Sequence, residues 1–289
     1  TRADATVYLY DVYRGGGLAG VPRGTIKALR LIEPVYRYWG NGETHSTSLD
    51  GGWDVKRLWG TVPVAADGSA FFRVPANTPL LVQPLDAQGM AQQQMRSWFT
   101  AMPGEVVSCV GCHERRREAV TADQRGGAAL QPPAAIRPWY GPPRGFAFER
   151  EVQPVLDRNC ARCHRSGALD LRAPGPANPR PERFSKSYLA LHPYVRRPGL
   201  EADIHMLPPR EFAANTSPLV QMLRKGHFGT KLSAEDWDRL ITWIDLNVPY
   251  AGDWREAYPP APESLIRRRE ELRSQDAAVK ARRTAEAKP

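Results

Sequence analysis

The sequence predicts an α+β fold, with strands first and helices second. Three observations carry that expectation. Short alternating apolar runs fill roughly the first 105 positions, and apolar stripes at helical spacing, with capping residues, occupy 217–247. A stretch rich in Pro, Gly and Ala lies between the two regions. A length of 289 residues suits one large domain or two ordinary ones. The 8 Trp, 10 Tyr and 8 Phe supply enough bulky core residues to exclude disorder over most of the chain. The longest apolar runs, such as "LITWI", fall far short of the roughly 18 residues a membrane-spanning helix needs, so no membrane span is expected. Proline, at 27 of 289 residues, is well above average usage and predicts many irregular connections.

The strands are expected within residues 1–120, as a β-sandwich. "ATVYLYDVYRG" alternates around Val7, Leu9 and Val12, and "GTIKALRLIEPVYRYW" is a second run rich in β-branched and aromatic residues. Residues 55–89 hold three more runs, divided by the turn sequences "ADGS" and "PANTP". Asp67-Gly68, between Val64 and Phe71, reads as a hairpin turn. Residues 40–52 form a polar loop. Residues 121–146 read as a Pro/Gly-rich linker or an irregular wrap.

The helices are expected within residues 147–258. "VQPVLDRNCARCH" contains a short helix with Val152, Val155 and Leu156 on one face. Ser217 is a suitable N-cap with Pro218 at the first helical position, Leu219, Met222 and Leu223 form the apolar stripe, and Gly226 stops the helix. Ser233 caps a second helix that buries Trp237, Leu240, Ile241 and Ile244, ended by Asn247 and Pro249. Residues 259–289 are a charged tail, an exposed helix fraying into disorder, with only Leu265, Ile266 and Leu272 to bury.

All four cysteines fall into two C-x-x-C-H segments, Cys109-Val110-Gly111-Cys112-His113 and Cys160-Ala161-Arg162-Cys163-His164. This is the attachment signature of a c-type haem. Two thiols three residues apart reach the two vinyl groups on one edge of a porphyrin, and the histidine that follows faces the iron as proximal ligand. The competing reading is a zinc site made of two C-x-x-C pairs. Zinc ribbons space their pairs by about 15–20 residues; here 47 residues separate Cys112 from Cys160, and zinc leaves both histidines unexplained. The sequence therefore predicts two covalently attached c-type haems and, for the helical region, a cytochrome c-like domain. Covalent attachment is carried out beyond the cytoplasm, so the expected location is periplasmic or extracellular. The sequence opens at Thr1 with neither a charged nor an apolar leader region, which reads as a mature chain or a piece of a longer one.

The remaining ligands must come from other histidines and methionines. His227, in "RKGHFGTKLS", is the first choice for the sixth position of the second haem, with a glycine on each side for close backbone approach. Met206, in "HMLPPREF", competes for that role; His205 and His192 are further candidates. For the first haem His45 and His205 are the options, Met102 being too near Cys109 in sequence, and the position is open if neither reaches. No catalytic side chain is assigned. The charge, 40 Lys+Arg against 31 Asp+Glu, is +9. Four haem propionates would lower it to about +5. The excess favours acidic redox partner proteins, and no nucleic-acid motif is present. Arg115, Arg116 and Arg117 either pair with propionates, form a docking patch or are a solvated turn.

The block "RLWGTVPVAADGSAFFRVPANTPLLVQPLDAQGMAQQQMRSWFTAMPGEVVSCVGCHE" resembles the middle domain of the hydrazine synthase alpha subunit family. So do "EVQPVLDRNCARCH" and "SPLVQMLRKGHFGTKLSAEDWDRLITWIDLNVPY", together covering roughly residues 7–255. The resemblance implies that the first haem belongs to catalytic machinery. It implies a bis-histidine relay for the second, carried onto His164 and His227. The family has a tyrosine four residues after the first haem histidine; that position is Arg117 here. The reading from sequence is thus a secreted dihaem cytochrome that moves electrons between redox partners. The alternatives are a haem enzyme acting on a small nitrogen or oxygen compound at the first haem, and a haem-bearing structural module of a larger complex.

Overall fold

The computed structural model describes residues 3–36, 47–49, 54–114, 126–172, 184–198, 205–257 and 263–286. The fold is α+β. The strands are β1 (Asp4–Leu9), β2 (Ala28–Tyr36), β3 (Asp54–Pro63), β4 (Ala70–Pro75), β5 (Leu81–Leu85), β6 (Val106–Cys109) and β7 (Arg144–Gly145). They form two sheets, β4-β1-β6 and β5-β2-β3-β7. Alternation sorts the residues between faces. Val7 and Leu9 of β1 and Phe72 and Val74 of β4 meet Leu29 and Leu31 of β2 and Val62 of β3 in one core.

β2 shows why its sequence is apolar almost throughout. Leu29 and Leu31 face that inter-sheet core. Ile32, one residue out of phase, belongs with Leu58 and Leu81 to a second core that contains the helices. The four-stranded sheet is therefore a wall shared by two cores. The described part of the 121–146 stretch runs along both sheets. Ala134 bridges Phe72 and Arg137 bridges Thr61, while β7 pairs with β3.

One connection between strands differs from the sequence expectation. The Asp67-Gly68 turn exists: Gly68 has φ +89°, and the Ala65 N–H donates to Ser69 O at 2.8 Å. It is not a hairpin, because β3 and β4 lie in different sheets. Its carboxylate accepts from the Ser69 N–H at 2.9 Å and from Gly127 N–H, so the turn is tied to the wrapping segment rather than to a ladder. β6 pairs in parallel with β1, Leu9 opposite Cys109. This carries the end of the first C-x-x-C-H strand alongside the start of the chain.

The helices are α1 (Phe148–Glu151), α2 (Gln153–Asn159), α3 (Lys186–Leu191), α4 (Pro218–Lys225), α5 (Ala234–Asp245), α6 (Trp254–Ala257) and α7 (Glu263–Glu286). Ser233 caps α5 as expected, accepting from Asp236 N–H at 3.0 Å. Ser217 stands at the N-cap of α4 but does not cap it. Its hydroxyl is turned to the preceding chain, accepting from Arg196 N–H at 3.0 Å and donating to Ala213 O at 3.1 Å. Within α5, Leu240, Ile241 and Ile244 are buried, and Trp243 is fully enclosed. Among the described residues no helix is long and apolar enough to cross a membrane.

A polar knot pins α5 to the shared sheet. Arg30 of β2 donates to Gln83 Oε1 (3.0 Å) and Thr242 Oγ1 (2.9 Å), with its Nη1 3.6 Å from Asp245 Oδ2. Asp245 accepts from Ala91 N–H and Ala214 N–H, each at 2.8 Å. Burial pushes the Asp245 carboxyl up to about 6, against the opposing pull of Arg30 and the two N–H donors.

Candidate functional site

The first C-x-x-C-H segment begins in a strand and ends in a clamp. Cys109 closes β6 and its carbonyl accepts from Tyr10 N–H at 2.9 Å. His113 has φ +58°, an uncommon left-handed backbone for a histidine. The run Gly15-Gly16-Gly17 lies directly on this turn. Gly17 N–H donates to Cys112 O at 3.1 Å and Gly16 N–H reaches His113 O at 3.5 Å. A Cβ on Gly15 would stand 2.5 Å from Cys112 O, and one on Gly111 would stand 2.4 Å from Arg14 O. Only glycines allow the two backbones to approach this closely.

Beside this clamp is a cavity of about 580 Å³. Cys109, Cys112 and His113 line one side, residues 92–97 another, and residues 205–208 a third. Three consecutive glutamines hold these walls. Gln92 donates to Asp86 Oδ2 (2.8 Å). Gln93 donates to both Gly17 O (2.8 Å) and Leu207 O (2.9 Å). Gln94 donates to Phe212 O (3.0 Å) and Asp245 O (3.1 Å).

The second segment is helical. Cys160 is the C-cap of α2, and its carbonyl accepts from the N–H groups of Cys163 and His164, both at 3.0 Å. Just upstream, Arg158 pairs with Asp236, and Asn159 Nδ2 donates to Asp236 Oδ2 at 3.0 Å, fastening the segment to the start of α5. Burial alone would raise the Asp236 carboxyl, but the hydrogen bonds from Arg158 and Asn159 outweigh it and hold it low. His227 follows α4. Its ring lies 6.0 Å from that of His164, centre to centre, with the planes 11° apart. The flanking glycines Gly226 and Gly229 take positive φ, +92° and +74°.

The other candidates separate cleanly. Met206, weighed for the second site, lies at the first cavity, because Gln93 ties Leu207 to the glycine clamp. His205 lines the same cavity. His192 is a core residue, buried with its ring 4.3 Å from that of Tyr188. Met102 is largely exposed and does not line the cavity. His45 and Arg115–Arg117 lie outside the described residues. Among the described residues no three His, Cys, Asp or Glu side chains converge as a metal cluster. Cys109 and Cys112 pack against one core and Cys160 against the other, while Cys163 is exposed.

The donor sets fit the group the motifs imply. An imidazole nitrogen binds a first-row metal at about 2.0–2.1 Å and sits roughly 1.1 Å from its own ring centre, so two rings sharing one ion stand about 6.3 Å apart. The His164–His227 separation of 6.0 Å agrees. The first cavity has the size of a small-molecule or cofactor site and apolar side chains such as Phe72 and Leu29 in its lining. Burial pushes the thiols of Cys109 and Cys160 up to about 11 and Cys112 to about 12. These are not the lowered thiols of a redox dithiol.

Comparison with known proteins gives the relationship. Residues 24–114 match the family model of the hydrazine synthase alpha subunit middle domain. That segment is hydrazine synthase alpha-like. It ends one residue past His113, so it holds the whole first motif together with β2–β6. Among solved structures the chain is similar to Kuenenia stuttgartiensis hydrazine synthase, with a TM-score of 0.60 and 20% identity over 86% of this chain. The likeness extends the shared fold into the helices. The chain spans 43% of the length of that relative. No curated protein matches by sequence. Sequence reasoning missed Gly15–Gly17, Gln92–Gln94 and the Arg30–Asp245 pair. The triple glycine and triple glutamine were visible signals; the buried pair had none.

Proposed function

We propose that the chain is a dihaem c-type protein of the hydrazine synthase alpha kind, working beyond the cytoplasm as a subunit of a larger assembly. A small nitrogen or oxygen compound is converted at the first C-x-x-C-H site, and electrons pass through the second to an acidic redox partner. The observation that carries this reading is the asymmetry between the sites. The first motif borders an apolar cavity of about 580 Å³, whereas the second has His227 opposite His164.

In this reading Cys109 with Cys112, and Cys160 with Cys163, hold the two haems through thioethers, and His113 and His164 give the proximal imidazoles. Bound there, haem supplies redox change at iron and, where a coordination position can open, binding of small ligands. The chain's own part at the first site is to fix the motif with Gly15–Gly17 and to offer the incoming molecule a largely apolar cavity whose walls the glutamines hold in place. At the second site His227 fills the position facing His164, which favours electron transfer over ligand binding.

Electron transfer alone is the second reading, favoured by Arg117 at the position where the resemblance expects a tyrosine. A guanidinium stays protonated and is a poor ligand. Carbon monoxide titration of the reduced protein separates the two. Binding of one equivalent, lost when Cys109 and Cys112 are replaced by serine, is the expected result. No binding at either site would leave electron transfer alone.

A further inference from the structure

We propose that Met206 provides a displaceable thioether ligand at the first site, so that this site is closed at rest and opened by the incoming small molecule. The inference rests on the reading of the first motif as a haem site. It follows from what holds residues 205–208. A continuous hydrogen-bonded path runs from the motif to this segment: Cys112 O accepts from Gly17 N–H (3.1 Å), and Gly17 O and Leu207 O share the Gln93 side-chain amide (2.8 and 2.9 Å). The segment is therefore fixed relative to His113 rather than merely near it.

Met206 itself packs on the clamp. A Cβ on Gly16 would lie 2.8 Å from Met206 Cε and 3.6 Å from its Sδ. Gly16 is the residue whose N–H reaches His113 O. Position 16 thus has room only for glycine, because the methionine lies against it. His205 lines the same cavity, but the side chain seated on the glycine run is Met206. The chemistry suits a gate. Thioether sulfur is a soft, uncharged ligand that holds an axial position weakly. Methionine's three rotatable bonds let it swing aside without moving backbone. With haem held at the first motif, the incoming ligand would take the place of Met206 Sδ, a one-for-one exchange that would move no electron or proton.

The test uses the protein carrying its haems, with Met206→Leu, Gly16→Ala and His205→Ala compared with the parent. The readouts are the far-red sulfur-to-ferric-iron absorption band and the rate of carbon monoxide binding after reduction. The parent is expected to show the band. Met206→Leu should abolish it and speed carbon monoxide binding at least about tenfold. Gly16→Ala, whose methyl pushes on Met206, should weaken the band and speed binding less, and His205→Ala should keep the band. A parent without the band, or a Met206→Leu protein with unchanged band and rate, overturns the proposal. So does loss of the low-spin spectrum in His205→Ala alone. Mass measurement of the same samples separates the two levels: two haems with the wrong spectra defeat only the Met206 assignment, whereas a bare first motif defeats the haem reading beneath it.

Discussion

Arg30 and Asp245 meet where the shared sheet touches the helices, with Nη1 3.6 Å from Oδ2 and both side chains sealed from solvent. Each oxygen of Asp245 also receives a backbone N–H, from Ala91 and from Ala214. Those two residues sit at the roots of the cavity walls formed by 92–97 and 205–213. One carboxylate therefore registers both walls against β2.

Asp245 gives a pH signature. Its carboxyl is raised from 3.8 to about 6 in the folded chain, so the folded state binds a proton that the unfolded state releases. The stability it contributes is complete below about 4 and declines as pH rises through about 6. Thermal unfolding between pH 4.5 and 7 should show that decline, and Asp245→Asn should flatten it. The same variant leaves Arg30 buried without its carboxylate, at a cost of roughly 3–5 kcal/mol at pH 7. An unchanged slope in Asp245→Asn would count against the assignment.

Haem loading is the most direct prediction. Mass spectrometry of the denatured protein should show two haem additions. Cys160→Ser with Cys163→Ser should remove one and leave the first-motif peptide modified. A mass equal to the bare chain would dispose of the dihaem reading.

Replacing His227 tests the second site. His227→Met should raise that centre's midpoint potential, because thioether ligation favours the ferrous state. The change should appear in one wave of a redox titration. A shift in both waves, or in neither, would separate His227 from this site.

Gly111→Ala probes the clamp. Its methyl would press to 2.4 Å from Arg14 O, which cannot retreat while Gly16 and Gly17 stay bonded to the motif. Peptide mapping should find lowered haem occupancy at Cys109–Cys112 and normal occupancy at Cys160–Cys163. Equal occupancy at both would mean the close approach is unimportant.

Ser233→Ala should cost about 1 kcal/mol, the usual value of a lost N-cap, read as a fall in denaturation midpoint. Ser217→Ala instead breaks the bonds to Arg196 N–H and Ala213 O, so its effect should be largest on residues 196–213, seen by hydrogen exchange.

Much of this molecule was legible because the signals are local. Alternation located β1, β-branched and aromatic runs between turn sequences located β2 to β5, and Ser233 with its apolar stripe located α5. The C-x-x-C-H spacing is a chemical constraint written in consecutive residues. What failed to show was long-range. Asp67-Gly68 has the composition of a hairpin, but which strands pair is decided by the cores they bury, and β3 and β4 face each other across one instead. Met206 and the second motif looked compatible because sequence order says nothing about Gln93 holding Leu207 to Gly17. Arg30 carried no signal at all; its guanidinium is buried because Asp245, 215 positions later, is there to receive it.

The parallel pairing of β1 with β6 has a consequence for how the protein matures. Thr6 stands opposite Val106, so the first cysteine pair acquires its native backbone only through a contact between distant parts of the chain. The second pair is set by hydrogen bonds within one helical turn. Contacts of long sequence separation form late. The wall over the first pair comes from residues 205–208, some ninety positions beyond Cys112. The first pair is thus enclosed only once contacts of long sequence separation have formed, whereas the second needs only its own helical turn.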